Sequence, residues 1–434
     1  MRILLIKCHG RSLLSRIRPI VTEPLELEMI AAVLNRFSGA GLSYRLYDSW
    51  LEGGSSKDII EKEKPDVLML TGYVTAVEEI LGLAAHAKKV SEKTAVWVGG
   101  VHAEGCPEDF YSEGVDAVFF AHALWGLDVL LKSYFEQGVG VANLYEKMPG
   151  VAYKDDGAGW VEKGPSAEGW AFEGPVPDRS YFEAYKHKVR YVERRGVALL
   201  KTARSCPHLC EFCYCRLLNG GVYQERPLEE VIQEIRGISA DTIWIVDDCF
   251  LTTAARADAW ASALEGLAAE GVHKRFIAYA RADVIVRLQD YVKRLRVIGF
   301  DEWIVGLEAV EDAQLKALGK GVEADDNAGA VDVIRAAGAR LTALFLVSPD
   351  DDAGDFRRLW AWIKGHEVRR FTVSILTPLK GTKVYEQYAG RMAAEGLARP
   401  ARFDFLHLVM RPTRMPAWLF YLRFWWLSAK ARLR

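Results

Sequence analysis

Twice along this chain, apolar runs of strand length alternate with stretches of helical periodicity, and that beat restricts the fold more than any other feature. The first series places strands at 2–7, 43–48, 67–72, 95–100 and 117–122, with helices over 25–38, 56–62 and 77–92. Strands separated by helices read as a parallel sheet covered on both faces. The second series places strands at 198–204, 242–248, 275–281, 302–308, 340–348 and 370–378, with helices over 227–238, 254–270, 288–298, 325–337 and 355–364. Six strand-plus-helix units are too few to close an eight-fold barrel. The expected fold is therefore α/β: a doubly wound, flavodoxin-like domain, then a partial (β/α)6 TIM-type barrel, then a short helical tail.

Between the two series the periodicity lapses. Met148-Pro149-Gly150, the Asp-Asp-Gly-Ala-Gly turn at 155–159 and Gly174-Pro175-Val176-Pro177 are turn signals, with a hairpin expected from 151–154 and 160–163. The expected division is 1–140 for the first domain, 141–185 for a linker with a hairpin, 186–392 for the barrel, and 393–434 for an aromatic and basic helical segment. A chain of 434 residues, 50% of them apolar, can fill cores of this number and size. Its net charge of -2 predicts no electrostatic affinity for nucleic acid. Seven cysteines in so long a chain do not make a disulfide framework and suit a reducing cytosol. The opening Met-Arg-Ile-Leu-Leu-Ile-Lys reads as a first strand, since its apolar run is too short for a signal peptide.

The loop after the first barrel strand carries Cys206, Cys210 and Cys213 in a Cys-x3-Cys-x2-Cys run. Three thiolates can hold three irons of a cubane 4Fe-4S cluster and leave the fourth iron open to a substrate or cofactor. Zinc is the competing reading. It normally takes four ligands, and although Cys215 could be a fourth, no second Cys-x2-Cys knuckle exists in the sequence. Cys215 and Cys249 read as spare thiols near the site, and Cys8 and Cys106 lie in the other half of the chain. Phe212, just before the third cysteine, could stack on an adenine.

Barrels and doubly wound sheets place their sites at the carboxyl ends of their strands. In the second series that rule selects Asp247, Asp248, Arg281 with Asp283, Glu308, and Thr377 with Pro378, a lining of both charges suited to a zwitterionic cofactor. A salt-bridge layer holding the barrel rim is the structural alternative. In the first series it selects His9 with Gly10, the stretch beginning at Thr71, Gly99-Gly100 with His102, and His122. Glycines there let backbone approach a bulky ligand closely.

These motifs together resemble the cobalamin (B12)-binding-domain-containing radical S-adenosylmethionine enzymes. The resemblance rests on the cysteine run, on Val-Gly-Gly-Val-His-Ala-Glu-Gly-Cys-Pro-Glu at 98–108, on Pro24-Leu25-Glu26-Leu27, and on Pro177-Asp178-Arg179-Ser180-Tyr181-Phe182. Val-Asp-Asp-Cys-Phe, Tyr-Ala-Arg-Ala-Asp, Gly-Leu-Glu-Ala-Val with the later Leu-Gly-Lys-Gly, and Thr-Pro-Leu-Lys-Gly-Thr complete it. It implies that the open iron chelates the amino and carboxylate groups of S-adenosylmethionine, with Phe212, Asp247, Asp248, Arg281 and Glu308 as contacts. Arg281 would pair with the cofactor carboxylate, and Glu308 would meet the ribose or the amine. It also implies cobalamin on the first domain, near His9, Thr71, Gly99, Gly100, His102 and His122. The sequence departs from the cobalamin pattern in two places: it has no Asp-x-His-x-x-Gly, and Ala121-His122-Ala123-Leu124 stands where relatives carry Gly-Glu-Gly-Glu. A degenerate first domain that only packs is the alternative to cobalamin binding.

The activity implied is cleavage of S-adenosylmethionine to a 5'-deoxyadenosyl radical, followed by methylation of an unactivated carbon in a small-molecule biosynthetic intermediate. Cyclisation or rearrangement on the same scaffold, and a non-catalytic iron-sulfur electron carrier or sensor, are the alternatives. An external one-electron donor such as flavodoxin or ferredoxin is implied, in the cytoplasm. The aromatic and basic tail from Trp418 is broken by Arg423 and too short to span a bilayer. It reads either as a helix packed on the barrel or as one in peripheral contact with a membrane surface.

Overall fold

The computed structural model describes residues 1–10, 13, 18–137, 145–155, 157, 159–166 and 174–432. The domain boundary expected at 140, and Asp156 and Ala158 of the expected turn, lie outside the described residues. Two compact units emerge: Met1–Gly196 with Leu218–Gly220, and Val197–Leu217 with Gly221–Arg434.

In the first unit, Arg2–Lys7 (β1), Ser43–Asp48 (β2), Val67–Thr71 (β3), Ala95–Gly99 (β4), Ala117–Phe119 (β5), Val151–Asp155 (β6) and Gly159–Lys163 (β7) form one sheet, ordered β2-β1-β3-β4-β5-β6-β7. The first five strands are parallel, and the order reverses between β1 and β3, where sheets of this kind take ligands. Ile3, Leu5, Met69 and Trp97 bury on one face, while Leu4, Ile6, Leu68, Leu70, Val96 and Val98 bury on the other. Burial on both faces is why these strands read as unbroken apolar runs.

Strand β5 stops three residues short of its expected end. Phe120 and Ala121 instead donate their N–H groups to the Gly150 carbonyl, at 3.0 and 3.1 Å, and His122 turns away at φ 50°. The hairpin strands β6 and β7 pair antiparallel with each other, and β6 continues the sheet from β5.

In the second unit, Ala198–Leu200 (β8), Thr242–Ile245 (β9), Arg275–Arg281 (β10), Phe300–Glu308 (β11), Arg340–Val347 (β12) and Phe371–Ile375 (β13) form a parallel sheet in chain order. That winding is the partial barrel. An aromatic stack is buried against its strands, with ring centroids 4.9 Å apart for Phe276 and Phe300 and 5.2 Å apart for Phe300 and Trp303. Strand β11 begins two residues earlier than expected, because Phe300 pairs with Phe276. The expected strand at 198–204 divides: Ala203–Arg204 leaves the main sheet and pairs antiparallel with Gln224–Glu225.

Gly100, after β4, sits at φ +101°, and a Cβ there would lie 2.3 Å from Thr71 Oγ1. At Gly99 the nearest atom to a Cβ would be 3.8 Å away, in Phe119. Gly100→Ala is expected to cost about 1–3 kcal/mol in urea unfolding. Gly99→Ala should stay within about 1 kcal/mol.

Candidate functional site

The cysteine loop leaves the barrel at the end of β8 because a buried carboxylate takes the strand's next donors. Asp247 Oδ1 accepts from the N–H groups of Thr202 and Ala203 at 2.6 and 3.0 Å. Its Oδ2 accepts from the Thr202 hydroxyl and from Arg256 Nη2, the latter at 3.3 Å. Burial pushes the Asp247 carboxyl pKa up, and these donors together with Lys201 oppose that rise. Asp247 is 1% exposed, so its bonds are spent at the root of the loop. Asp248, next along the chain, is partly open and has Lys201 Nζ at 3.5 Å.

Cys206, Cys210 and Cys213 are all partly exposed. Arg281, ending β10, donates from Nη1 to Cys210 Sγ at 3.1 Å, from Nε to Asp283 at 3.0 Å and from Nη2 to the Lys320 carbonyl at 3.0 Å. A guanidinium so placed favours thiolate at Cys210, against burial, which raises that thiol's pKa. Burial pushes Cys206 up to about 11. Cys213 is held below the ordinary thiol range, first by a hydrogen bond with the Cys215 side chain, and the same bond drives Cys215 well above it. Cys215 thus stands as the hydrogen-bond donor to the Cys213 sulfur.

Among the described residues, only His102, Cys106 and Asp109 bring three metal-type donor atoms within 4.8 Å of one another. The partial exposure of Cys206, Cys210 and Cys213 and the Arg281 donor beside Cys210 fit a polynuclear cluster.

Glu308 ends β11 in a kink. Its φ is 63°, and the pairing with β12 shifts register between Gly306 and Glu308. Asn327, fully buried, donates to the Leu307 and Ala309 carbonyls at 3.0 and 2.8 Å, which holds the kink from both sides. Lys320 Nζ meets Glu308 Oε1 at 2.9 Å and also donates to the Gly306 carbonyl. Since the Lys320 carbonyl receives Arg281, the residues Cys210, Arg281, Lys320 and Glu308 form one connected chain of contacts. Phe212 lies off this chain, partly buried against Leu318, Leu376 and Val384. Thr377 is buried and donates to the Ile375 carbonyl at 3.0 Å.

In the first unit, the strand ends at the switch point close tightly on one another. Gly10 sits at φ +68°, where a Cβ would lie 2.0 Å from the Thr75 carbonyl oxygen, and the N–H groups of His9 and Gly10 both donate to Glu79 Oε2, at 3.2 and 2.7 Å. His9 stacks on Trp50, with centroids 3.8 Å apart, and its Nε2 meets Asp48 at 2.7 Å. Lys7, its side chain 11% exposed, pairs with Glu26, and its partial burial lowers its pKa to about 8. Thr71 is buried beneath Gly100, while Tyr73 is 56% exposed. His102, in the short helix Val101–Gly105 after β4, brings Nε2 to 2.9 Å from Asp109, and His122 lies three residues past the end of β5, edge-on to Trp125.

Three groups at the second site were not singled out by sequence reasoning. Lys320 sits inside the Leu-Gly-Lys-Gly motif, and a cation twelve residues past a strand-end glutamate was the available signal. His208 sits inside the cysteine loop itself. Its pKa is lowered to about 4, first by burial and then by Arg281, and its Nε2 is buried with no hydrogen-bond partner among the described residues. Asp351 follows β12 in a run of three aspartates, a strand-end signature of the same kind as Asp247-Asp248.

Comparison with known proteins divides the chain in the same order. The B12 binding domain family matches residues 18–124, and the radical SAM superfamily matches residues 200–363. The chain is 26% identical over 412 residues to a hopanoid C-3 methylase of Methylococcus capsulatus, covering 92% of this chain and 74% of that protein. It is 23% identical over 240 residues to an anaerobic magnesium-protoporphyrin IX monomethyl ester cyclase of Synechocystis, covering 54% of this chain and 47% of that one. Among solved structures, the methyltransferase TsrM from Kitasatospora setae, with cobalamin and a 4Fe-4S cluster bound, superposes with a TM-score of 0.70 at 17% identity, covering 96% of this chain and 83% of that one. The cobalamin-dependent enzyme OxsB gives a TM-score of 0.68 at 16% identity, where this chain spans 55% of the length of that one.

Lys320 and Glu308 are a largely enclosed pair, with side chains 3% and 12% exposed. Lys320→Met leaves Glu308 without its partner and is expected to cost about 3–5 kcal/mol in denaturant unfolding. Adding Glu308→Gln to it should recover most of that loss.

Asp351 offers a test by pH. Burial, with Asp355, Asp350 and Asp352 nearby, pushes its carboxyl up to about 7 against the opposing Ser348 N–H bond. A raised carboxyl favours the protonated fold, so its contribution is complete below about pH 4 and vanishes as the pH rises through about 7. Asp351→Asn is expected to raise stability by about 1 kcal/mol at pH 8, with no gain at pH 4, as read by urea unfolding at both values.

Proposed function

Because this chain belongs to the cobalamin-binding-domain-containing radical S-adenosylmethionine enzymes, we propose that it methylates an unactivated carbon of an apolar small molecule. The observation that carries this reading is the pairing of a three-cysteine loop at the head of a partial barrel with a likeness to a hopanoid C-3 methylase across 92% of the chain. The likeness to a cyclase, which covers 54% of the chain, supports a rearrangement on the same scaffold as the second reading.

When bound, the cluster, S-adenosylmethionine and cobalamin supply radical initiation and a transferable methyl group. The chain's own residues have the tasks of holding and shielding. Cys206, Cys210 and Cys213 would hold three irons. Arg281 sets positive charge beside Cys210, and Cys215 sets a hydrogen-bond donor beside Cys213. Glu308, aimed by its kink and steadied by Lys320, stands as the carboxylate for the ribose or amine of S-adenosylmethionine. Asp248 is the open acid of its pair, and Asp247 is a positioning residue for the loop. Phe212 packs where it can wall the adenine side of the site.

In the first unit, Gly99, Gly100 and Thr71 form the floor on which cobalamin would rest, with His9, His102 and His122 at its border. An external one-electron donor such as flavodoxin or ferredoxin belongs to the same reading, as does peripheral contact with a membrane through the C-terminal segment.

The test uses protein reconstituted without oxygen with iron, sulfide and hydroxocobalamin, then given reductant, S-adenosylmethionine and a hopanoid. Methyl transfer predicts S-adenosylhomocysteine and 5'-deoxyadenosine in equal amounts, with near one cobalamin retained per chain. 5'-Deoxyadenosine without S-adenosylhomocysteine would favour rearrangement. A cluster spectrum that ignores S-adenosylmethionine would leave only an electron carrier.

A further inference from the structure

The C-terminal helix Ala417–Arg432 is apolar on two sides, and the barrel uses only one. Phe420, Phe424 and Leu427 are fully buried, and their spacing places them on a single stripe. Phe420 meets Phe356 edge-on at 5.4 Å, and Trp426 meets Trp360 in the same way at 5.4 Å. The other side carries Trp418, Leu422 and Trp425, exposed by 69, 61 and 38%, with Trp426, 47% exposed, at the margin where it meets Trp360. These too recur at helical spacing, so they form a second continuous stripe, turned to solvent. Single exposed apolar residues are ordinary, but a stripe of this kind on one helix marks an interaction surface.

The charge carried by the segment itself is of one sign. Residues 405–434 contain Arg411, Arg414, Arg423, Lys430, Arg432 and Arg434, and no aspartate or glutamate. Lys430 Nζ lies over the Trp426 ring at 5.4 Å, so a cation borders the apolar stripe directly. Arg414 is also mostly exposed, with only a loose 3.8 Å pairing to Asp352. Beside the start of the helix, a cavity of about 370 Å³ lined by Leu408, Met410, Met415 and Tyr421, with Arg402 and Arg411, repeats the combination of apolar wall and guanidinium. No helix among the described residues is long and apolar enough to cross a membrane. Tryptophan with a basic border suits the boundary between headgroups and acyl chains, where the ring finds both an apolar and a wet side.

We propose that this helix lies flat on an anionic lipid bilayer, with Trp418, Leu422, Trp425 and Trp426 seated at headgroup depth and the flanking arginines and lysine on the lipid phosphates. The opposing stripe of Phe420, Phe424 and Leu427 ties the helix to the barrel, so docking brings the second unit to the membrane as a body. The docking stands on the two stripes and their charge. Only its meaning, as the route by which an apolar substrate reaches the enzyme, rests on the methyltransferase reading.

The experiment is flotation of the full-length, cofactor-loaded protein with vesicles of phosphatidylcholine, with and without about 30% phosphatidylglycerol, alongside tryptophan emission. The expected result is binding about ten-fold tighter to the anionic vesicles, a blue shift on binding, and weakening as salt rises from about 0.1 to about 0.5 M. Trp418→Ser with Leu422→Ser, both at exposed positions, should cut binding about ten-fold while leaving iron and cobalamin content unchanged. Arg414→Gln with Lys430→Gln should weaken binding to the anionic vesicles alone. Absence of wild-type binding to the anionic vesicles, or unchanged binding by the tryptophan–leucine variant, would overturn the proposal. So would self-association in sedimentation that this variant abolishes without any vesicle binding, since the face would then join two copies of the chain. Vesicle binding is read without turnover, so a failure to form S-adenosylhomocysteine counts against the methyltransferase reading and not against docking.

Discussion

A carboxylate removed from water is costly unless donors surround it, and the second unit is arranged around one that is surrounded. Asp247 takes two backbone N–H groups, a hydroxyl and a guanidinium, from Thr202, Ala203 and Arg256. Consecutive N–H groups of a strand point to opposite sides, so a carboxylate that gathers both bends the chain out of the line of β8 and into the loop that carries Cys206, Cys210 and Cys213. Arg256 also donates to the Phe250 carbonyl at 2.9 Å, which ties the same lock to the buried aromatic stack and anchors the loop there.

The polar groups around that loop follow the same economy of shared donors. Arg281 serves Cys210, Asp283 and the Lys320 carbonyl at once, and Lys320 in turn holds Glu308 against the kink in β11. A non-glycine residue at positive φ costs on the order of 1 kcal/mol or more and persists only where its surroundings insist on it. Asn327 on the two flanking carbonyls and Lys320 on the carboxylate supply that insistence. In the first unit the equivalent devices are glycines: Gly10 and Gly100 allow approaches that a Cβ would block. One unit shapes its strand ends with charge and the other with backbone.

Much of this was legible in the sequence. The parallel strands of both series stand within a few residues of their expected places, because burial on both faces writes a continuous apolar run that needs no tertiary information to detect. The cysteine spacing and the strand-end acids and arginine were visible for the same reason. The strand ends were less legible. β5 gives up Phe120 and Ala121 to the Gly150 carbonyl, and β8 gives up Thr202 and Ala203 to a side chain 44 and 45 residues away. No local pattern announces a competing acceptor that arrives from so far along the chain.

The sequence by itself determined the α/β architecture, the order of its parts, the three-thiolate loop and the strand ends where chemistry belongs, because period and spacing are local properties. Only the tertiary structure decided that Asp247 is enclosed while Asp248 stays open, that Phe212 turns toward Leu318, Leu376 and Val384, and that Lys320 reaches Glu308. It also showed one apolar stripe of the tail buried and a second exposed. Burial and hydrogen-bond partnership depend on which distant segments fill the surrounding space, and that is settled only when the chain has closed on itself.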